Sequence, residues 1–310
     1  MFINIIQTCA GLACLFLGAE ILIKGASRLA SLLGIKPIII GLTIVAFGTS
    51  APEAVVSIYA ALQSKPDIAM GNIVGSNIFN IAFILGVSAM VRPLKVDSLS
   101  LKREMPFVVA SAVLLWVLGR DGVLGRVDGI ILFSIFAIFI WVCFLNKGVN
   151  HEEKRSPVHP NGKFLHGIQI VVGLSVLVLG ANLFLTGAVG LARVVGLSEL
   201  IIGVTLVAAG TSLPELATSV IAAWRKQDDI SIGNISGSNI FNILFIISIV
   251  AIISPLSVSQ PFIARDIPVM IIISLVMLPI MKTGFIISRL EGFFLALCYV
   301  GYIIWLVGGR

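Results

Sequence analysis

The chain runs to 310 residues, 58% hydrophobic and only 12% charged, with a formal net charge of +6. Soluble domains carry about 25% charged residues, and apolar runs such as 130–145, 167–185, 262–281 and 293–307 approach the roughly 20 residues that cross a bilayer core, so a soluble fold is excluded. The positive balance does not point to nucleic acid, because Lys and Arg sit between apolar runs and form no patch with interleaved aromatics; in a membrane protein they set topology.

The apolar segments are taken in chain order. Phe2–Leu22 has no basic leader and no small-residue cleavage pattern, so it reads as the start of a first span, 3–30, and not as a removed signal peptide. That span carries Glu20, expected in a packing hydrogen bond or at the lipid interface, with Lys24 and Arg28 snorkelling to the surface. The second span, 37–62, contains Gly48-Thr49-Ser50-Ala51-Pro52-Glu53. Pro52 removes an N–H and crowds the carbonyl four residues back, and Gly48 eases unwinding, so a broken helix with a carboxylate at the break is expected. Asp67 is expected to N-cap the third span, 69–91. Within it Ser76, Asn77 and Asn80 crowd one helical face, while Gly71 and Gly75 admit a close neighbour. Spans of 104–119 and 127–145 follow, the latter opened by Asp128-Gly129.

Asn146–Lys163 is the only markedly polar stretch and suits a solvated linker, with His151, His159 and the adjacent His166 read as solvated side chains. Five more segments come after it, at 165–193, 200–224, 230–253, 262–281 and 288–307. Asp229 and Glu291-Gly292 again mark helix starts, and Trp116, Trp141, Trp224 and Trp305 near span ends fit an interfacial belt. Cys9, Cys14, Cys143 and Cys298 lie in apolar stretches without metal spacing and read as inert thiols.

Residues 41–80 laid on 203–242 without gaps match at 23 of 40 positions. G-T-S-A-P-E at 48–53 returns as G-T-S-L-P-E at 210–215, and G-N-I-V-G-S-N-I-F-N at 71–80 returns as G-N-I-S-G-S-N-I-F-N at 233–242. The same offset of 162 carries Gly18, Gly25 and Gly34 onto Gly180, Gly187 and Gly196. Two homologous halves follow, 1–145 and 164–310, joined by the linker 146–163. Five spans per half is an odd number, so the second half enters from the opposite side. The expected fold is an all-α membrane protein of ten transmembrane helices, built as two inverted-topology five-helix repeats with helices 2 and 7 broken. With both termini outside and the linker cytoplasmic, 15 of the 21 basic residues face the cytoplasm, as the positive-inside rule asks.

Inverted symmetry brings Glu53 and Glu215 to a common depth at mid-membrane. An ionised carboxylate there costs at least about 2.5–3.5 kcal/mol, which marks function. With Thr49, Ser50, Thr211 and Ser212, the amides of spans three and eight and the loosened carbonyls, they form an all-oxygen set suited to hard cations such as calcium and sodium. No soft ligand suggests zinc or copper.

The paired G-T-S-x-P-E and G-N-x-x-G-S-N-I-x-N segments resemble the two alpha repeats of the calcium/cation antiporter superfamily, above all prokaryotic sodium/calcium exchangers. The resemblance covers essentially the whole chain and is densest at 41–80 and 203–242. It implies that Glu53 and Glu215 share the calcium ion, with the carbonyls of Thr49 and Thr211. Sodium would use the carbonyls of Ala46 and Ala208 and the hydroxyls of Ser50, Ser76, Ser212 and Ser238, while Asn80 and Asn242 flank the centre. Asn242 stands where some relatives, potassium-dependent exchangers among them, have Asp, which weighs against potassium co-transport. The implied activity is sodium/calcium antiport by alternating access in the cell (inner) membrane, with transported ions and no cofactor. A single chain holds both halves of the site, so a monomer suffices, although the oligomeric state is left open. Proton/calcium antiport is the alternative, since a desolvated glutamate can carry a proton. A channel fits poorly with both halves in one chain. A membrane enzyme fits poorly too, because no nucleophile–base pair joins the glutamates.

Overall fold

The computed structural model describes residues 1–97, 100–145, 162–195 and 208–308. Most of the expected linker and the beginning of the seventh predicted span, residues 146–161 and 200–207, therefore lie outside the described residues.

Helix α1 (Phe2–Leu33) ends at Gly34, whose φ of 64° and N–H bonds to the Ala30 and Ser31 carbonyls form a glycine C-terminal cap. Helices α2 (Pro37–Thr49) and α3 (Ala51–Leu62) meet at a bend of 47°. Next come α4 (Pro66–Val91), strand β1 (Leu94–Lys95), α5 (Met105–Leu118), β2 (Val123–Leu124) and α6 (Arg126–Leu145). The remainder comprises α7 (Gly162–Val194), α8 (Ala208–Gly210), α9 (Leu213–Trp224), α10 (Asp228–Ile253), β3 (Leu256–Ser257), α11 (Phe262–Lys282), β4 (Ile286–Ile287) and α12 (Arg289–Gly308).

Among the described residues seven helices, α1, α4, α6, α7, α10, α11 and α12, are long and apolar enough to cross a bilayer, and the bent pair α2–α3, taken as one span, brings the number to eight. The fourth predicted span does not reach that length. Helix α5 has 14 residues, about 21 Å at 1.5 Å per residue, flanked by a π turn at Ser100–Glu104 and a 3-10 turn at Gly119–Asp121. Helices α4 and α10 are mostly enclosed, whereas α6 and α12 expose most of their apolar surface, including Phe133, Trp141, Ile304 and Trp305. A helix that is apolar on its outward face requires a lipid solvent. The protein is a multi-pass membrane protein whose described secondary structure is helical apart from four two-residue strands.

Glycine fixes how α1 and α7 meet. A Cβ on Gly11 would lie 2.4 Å from the Phe184 backbone N, one on Gly180 2.7 Å from Leu15 N, and one on Gly173 2.7 Å from Leu22 N. The two long helices therefore pack backbone to backbone, a small-residue seam. Two antiparallel strand pairs mark opposite ends of the bundle. β1 joins β4 through Leu94 and Ile287, and β2 joins β3 through Leu124 and Leu256.

Two sequence expectations are corrected here, and a third is refined. Gly48 stays helical within 46–49, and a Cβ there would meet the Leu174 side chain at 2.4 Å, so its smallness serves packing against α7 instead of unwinding. Asp67 and Asp229 are not N-caps; Lys65 and Gln227 hold those positions, and the acids sit in the first turn, where the helix dipole favours negative charge. Glu20 makes the expected packing hydrogen bond, accepted from Arg225, and is not at the lipid interface: it is buried and ion-paired with Arg225 and Lys24. Asp128 and Glu291 do mark helix starts. Asp128 accepts from Gly125 N at 2.8 Å, and Glu291 exchanges bonds with Ser288 in a capping box.

Candidate ion-binding site

The helix breaks position the carboxylates. Ser50 lies between α2 and α3 at φ −82°, ψ 7°, and Ser212 precedes α9 at φ −88°, ψ 10°. Pro52 and Pro214 fall in the first turn of the new helix, where a missing N–H leaves nothing unpaired. Glu53 and Glu215 follow in those same first turns, so each carboxylate lies near the positive end of a helix dipole.

The halves interlock across this point. Ser212 donates to Glu53 Oε1 at 2.7 Å, and Ser50 donates to Glu215 Oε1 at 2.8 Å, each serine serving the carboxylate of the other half. The Ser212 and Ser76 hydroxyl oxygens lie 3.0 Å apart, and Ser76 reaches Glu53 Oε1 at 3.5 Å. Both glutamates are fully buried. Since each is bound by the residue three positions before the other, the two carboxyl groups are close neighbours.

The amides of α4 and α10 form a second crossing. Asn80 Nδ2 donates to Asn239 Oδ1 at 3.0 Å, and Asn242 Nδ2 donates to Asn77 Oδ1 at 3.0 Å. Asn80 and Asn242 lie in π stretches, 79–84 and 241–246, the wide turns that recur at functional positions. With the nitrogens committed, Oδ1 of both asparagines remains buried without a donor, as do Oε2 of Glu53, Oε2 of Glu215 and Oγ of Ser238. A buried acceptor left unpaired costs on the order of 1–3 kcal/mol. Five such oxygens on residues of the two motifs are what a bound cation would satisfy. Among the described residues no three of His, Cys, Asp and Glu come together. The donors are thus two carboxylates and neutral oxygens, which suit a hard cation and not a soft metal.

The other predicted residues fall in the same place, with differences. Thr49 and Ser238 are buried, whereas Thr211 is only partly so. The Ala46 carbonyl accepts from Ser50 N at 3.0 Å and lies 3.3 Å from the Thr49 hydroxyl oxygen, so a cation would compete for it. Ala208 begins α8. Gly233 and Gly237, the repeat counterparts of Gly71 and Gly75, admit close neighbours: Cβ atoms there would meet Ile38 O at 2.8 Å and Leu42 O at 2.5 Å. Gly71 and Gly75 do not, having open space or only Phe262 at 3.7 Å before them. They line a cavity of about 1090 Å³ that runs from Asp67 and Ser259, on the β2–β3 side, to Pro52, Asn72 and Thr211 beside the break.

Two asparagines went unassigned in the sequence reading. Asn72 donates to the Glu53 carbonyl at 3.1 Å and to Ser57 Oγ at 2.9 Å, and its Oδ1 accepts from Thr211 at 3.3 Å. Asn234 does the same for Glu215 O at 3.5 Å, Ser219 Oγ at 2.9 Å and Thr49 at 3.0 Å. Each braces its own carboxylate helix and the motif threonine of the opposite half. Ser57 and Ser219 recur with them at the offset of 162, and that recurrence was the available signal.

Comparison with known proteins agrees with this geometry. A sequence model described as sodium/calcium exchanger protein matches residues 3–145 and again 166–308. The chain is 33% identical to the sodium/calcium exchanger MaX1 of Methanosarcina acetivorans, covering 97% of this chain and 98% of that one. It is 36% identical to the inner membrane protein YrbG of Escherichia coli K12, over 86% and 85% of the two chains. The solved sodium/calcium exchanger from Methanococcus jannaschii superimposes with a TM-score of 0.85 at 30% identity, over 97% of this chain and 98% of that one. Members of the matching family are transporters, not enzymes. The chain accordingly belongs to the sodium/calcium exchanger family, within the calcium/cation antiporters.

Proposed function

We propose that this protein exchanges sodium for calcium, independently of potassium, with Glu53 and Glu215 shared between the two ions. The observation that carries the reading is the reciprocal binding of each carboxylate by a serine of the opposite half, with a second carboxylate oxygen left unpartnered on both. Two ionised glutamates give the site a charge of −2, which one calcium ion neutralises. Two sodium ions do the same, and a third leaves +1. Both ions need the same oxygens, so occupancy by one excludes the other, and that competition couples their movements. Sodium is favoured over protons by the serine hydroxyls, which supply neutral oxygens beside the carboxylates. Asn242, in place of an acid, keeps the charge too low for an added potassium ion.

In this reading Thr49 and Thr211 lend carbonyls to calcium. The carbonyls of Ala46 and Ala208, with Ser50, Ser76, Ser212 and Ser238, serve sodium, and Asn80 and Asn242 face the centre. The chain divides into inverted halves, 1–145 and 164–310, with ten crossings in the inner membrane, the linker 146–163 cytoplasmic and both termini outside. The strand pairs support inversion: β1 and β3 are equivalent by the offset of 162, yet they pair at opposite ends of the bundle. The cavity on the β2–β3 side is then the outward mouth, and the α2–α10 contact at Gly233 and Gly237 closes the inward one.

The test is radioactive calcium uptake into proteoliposomes with sodium, potassium and proton gradients imposed one at a time. Uptake driven by sodium alone supports the proposal. Uptake driven by a pH gradient in the absence of sodium would assign the proton/calcium reading instead.

A further inference from the structure

If two inverted halves were identical in sequence, closing one face or the other would cost the same, because the symmetry operation exchanges the two states. Only residues that break the repeat can set the resting state. Among the described residues three ion pairs between separate elements at the β1–β4 end do so, beside the Glu20–Lys24 pair within α1. The buried Glu20 carboxylate of α1 pairs with Arg225, the residue capping the C-terminus of α9, and with Lys24 at 3.1 Å. Lys36, just before α2, pairs with Asp97 at 3.3 Å. Arg92, at the end of α4, pairs with Asp228 of α10 at 2.7 Å and also donates to the Ala223 carbonyl at 3.3 Å. The hydroxyl of Ser27 reaches Gln227 at 3.4 Å beside the first pair.

The offset of 162 finds no counterpart. Glu20 and Arg225 correspond to Asn182 and Gln63, Lys36 and Asp97 to Ser198 and Ser259, Arg92 and Asp228 to Ser254 and Pro66. Every charge is replaced by a neutral residue, and Asn182 and Ser259 line the open cavity. Two of the pairs, Glu20–Arg225 and Lys36–Asp97, run from α1 and the start of α2 to the rest of the bundle. The glycine seam packs α1 and α7 backbone to backbone, so a tie on α1 also restrains α7.

We propose that these three ion pairs form a latch on the β1–β4 face, one that makes the state open on the β2–β3 face the resting state of the transporter. The proposal rests on the inverted-repeat antiporter reading, but its readout is conformational and does not depend on which ion is carried. Each pair is partly exposed, so each shifts the equilibrium by only about two- to fivefold.

The experiment is hydrogen–deuterium exchange mass spectrometry of the full chain in lipid nanodiscs without calcium. Glu20→Gln raises exchange in segments 37–45 and 233–238 and lowers it in 51–56 and 71–75, as the inner face opens and the cavity closes. The charge swap Glu20→Arg with Arg225→Glu restores the wild-type pattern. The double change Asn182→Glu with Gln63→Arg, which installs a tie at the equivalent outer positions, moves exchange in the same direction as Glu20→Gln. Lys36→Gln gives the same reading if Glu20→Gln does not fold. Unchanged exchange at both faces in the folded single variants, or a swap that fails to restore the pattern, overturns the latch. An altered exchange pattern in a protein that shows no sodium-driven calcium uptake would keep the latch and remove the ion assignment.

Discussion

Replacing Glu53 with Gln tests the charge balance on which exchange depends. Gln keeps the shape and can still accept the Ser212 hydroxyl, which lies 2.7 Å from Oε1, so the packing of a fully buried residue is preserved. What changes is the charge of the empty site, from −2 to −1, and a calcium ion then leaves an uncompensated +1 in the bilayer interior. The low estimate for such a charge is about 2.5–3.5 kcal/mol. At about 1.4 kcal/mol per tenfold, that slows translocation on the order of a hundredfold, before any loss of a ligand oxygen is counted. Sodium-driven calcium uptake into proteoliposomes reads this directly, with monodispersity in detergent as the control for folding. Glu215→Gln must do the same, because the halves are related by symmetry. Uptake within about threefold of wild type in either folded variant, against the hundredfold expected, would refute the reasoning.

Two further predictions concern groups around the carboxylates. Ser50→Ala and Ser212→Ala each remove a short bond to a charged acceptor, worth about 1.5–3 kcal/mol, and raise the sodium concentration needed for half-maximal exchange more than the calcium concentration; equal shifts for both ions would separate the serines from sodium. Gly237→Ala drives a Cβ to 2.5 Å from the Leu42 carbonyl, while Gly75→Ala meets nothing within 4 Å. Thermal unfolding in detergent is therefore lowered by the first substitution and left unchanged by the second, and matching losses would contradict the contact.

Much of this architecture is legible in the sequence because the chain states it twice. A single Pro-Glu pair in an apolar run has many readings, but the return of Gly48–Glu53 at 210–215 placed two carboxylates in equivalent breaks, and both are buried there. Partner choice was not legible. Ser50 stands three residues from Glu53, yet its hydroxyl serves Glu215, because the relation between the halves, and not the local chain, decides which groups meet. The same holds for Asn72, whose oxygen holds Thr211 from 139 residues away. Gly48 misled for a different reason: glycine signals either backbone freedom or close approach, and only Leu174, from the other half, distinguishes them. Identical residues also took different roles. Gly75 faces the cavity and Gly237 is covered, a difference of conformational state that no repeat can encode.

The most direct measurement of the central claim is an anomalous difference map of crystals grown with strontium as a calcium substitute. The account predicts one peak between the halves, ligated by oxygens from both Glu53 and Glu215 at distances slightly longer than the roughly 2.3–2.6 Å of calcium–oxygen bonds, as the larger strontium ion requires. A peak held by one glutamate alone, or located away from both, would contradict it.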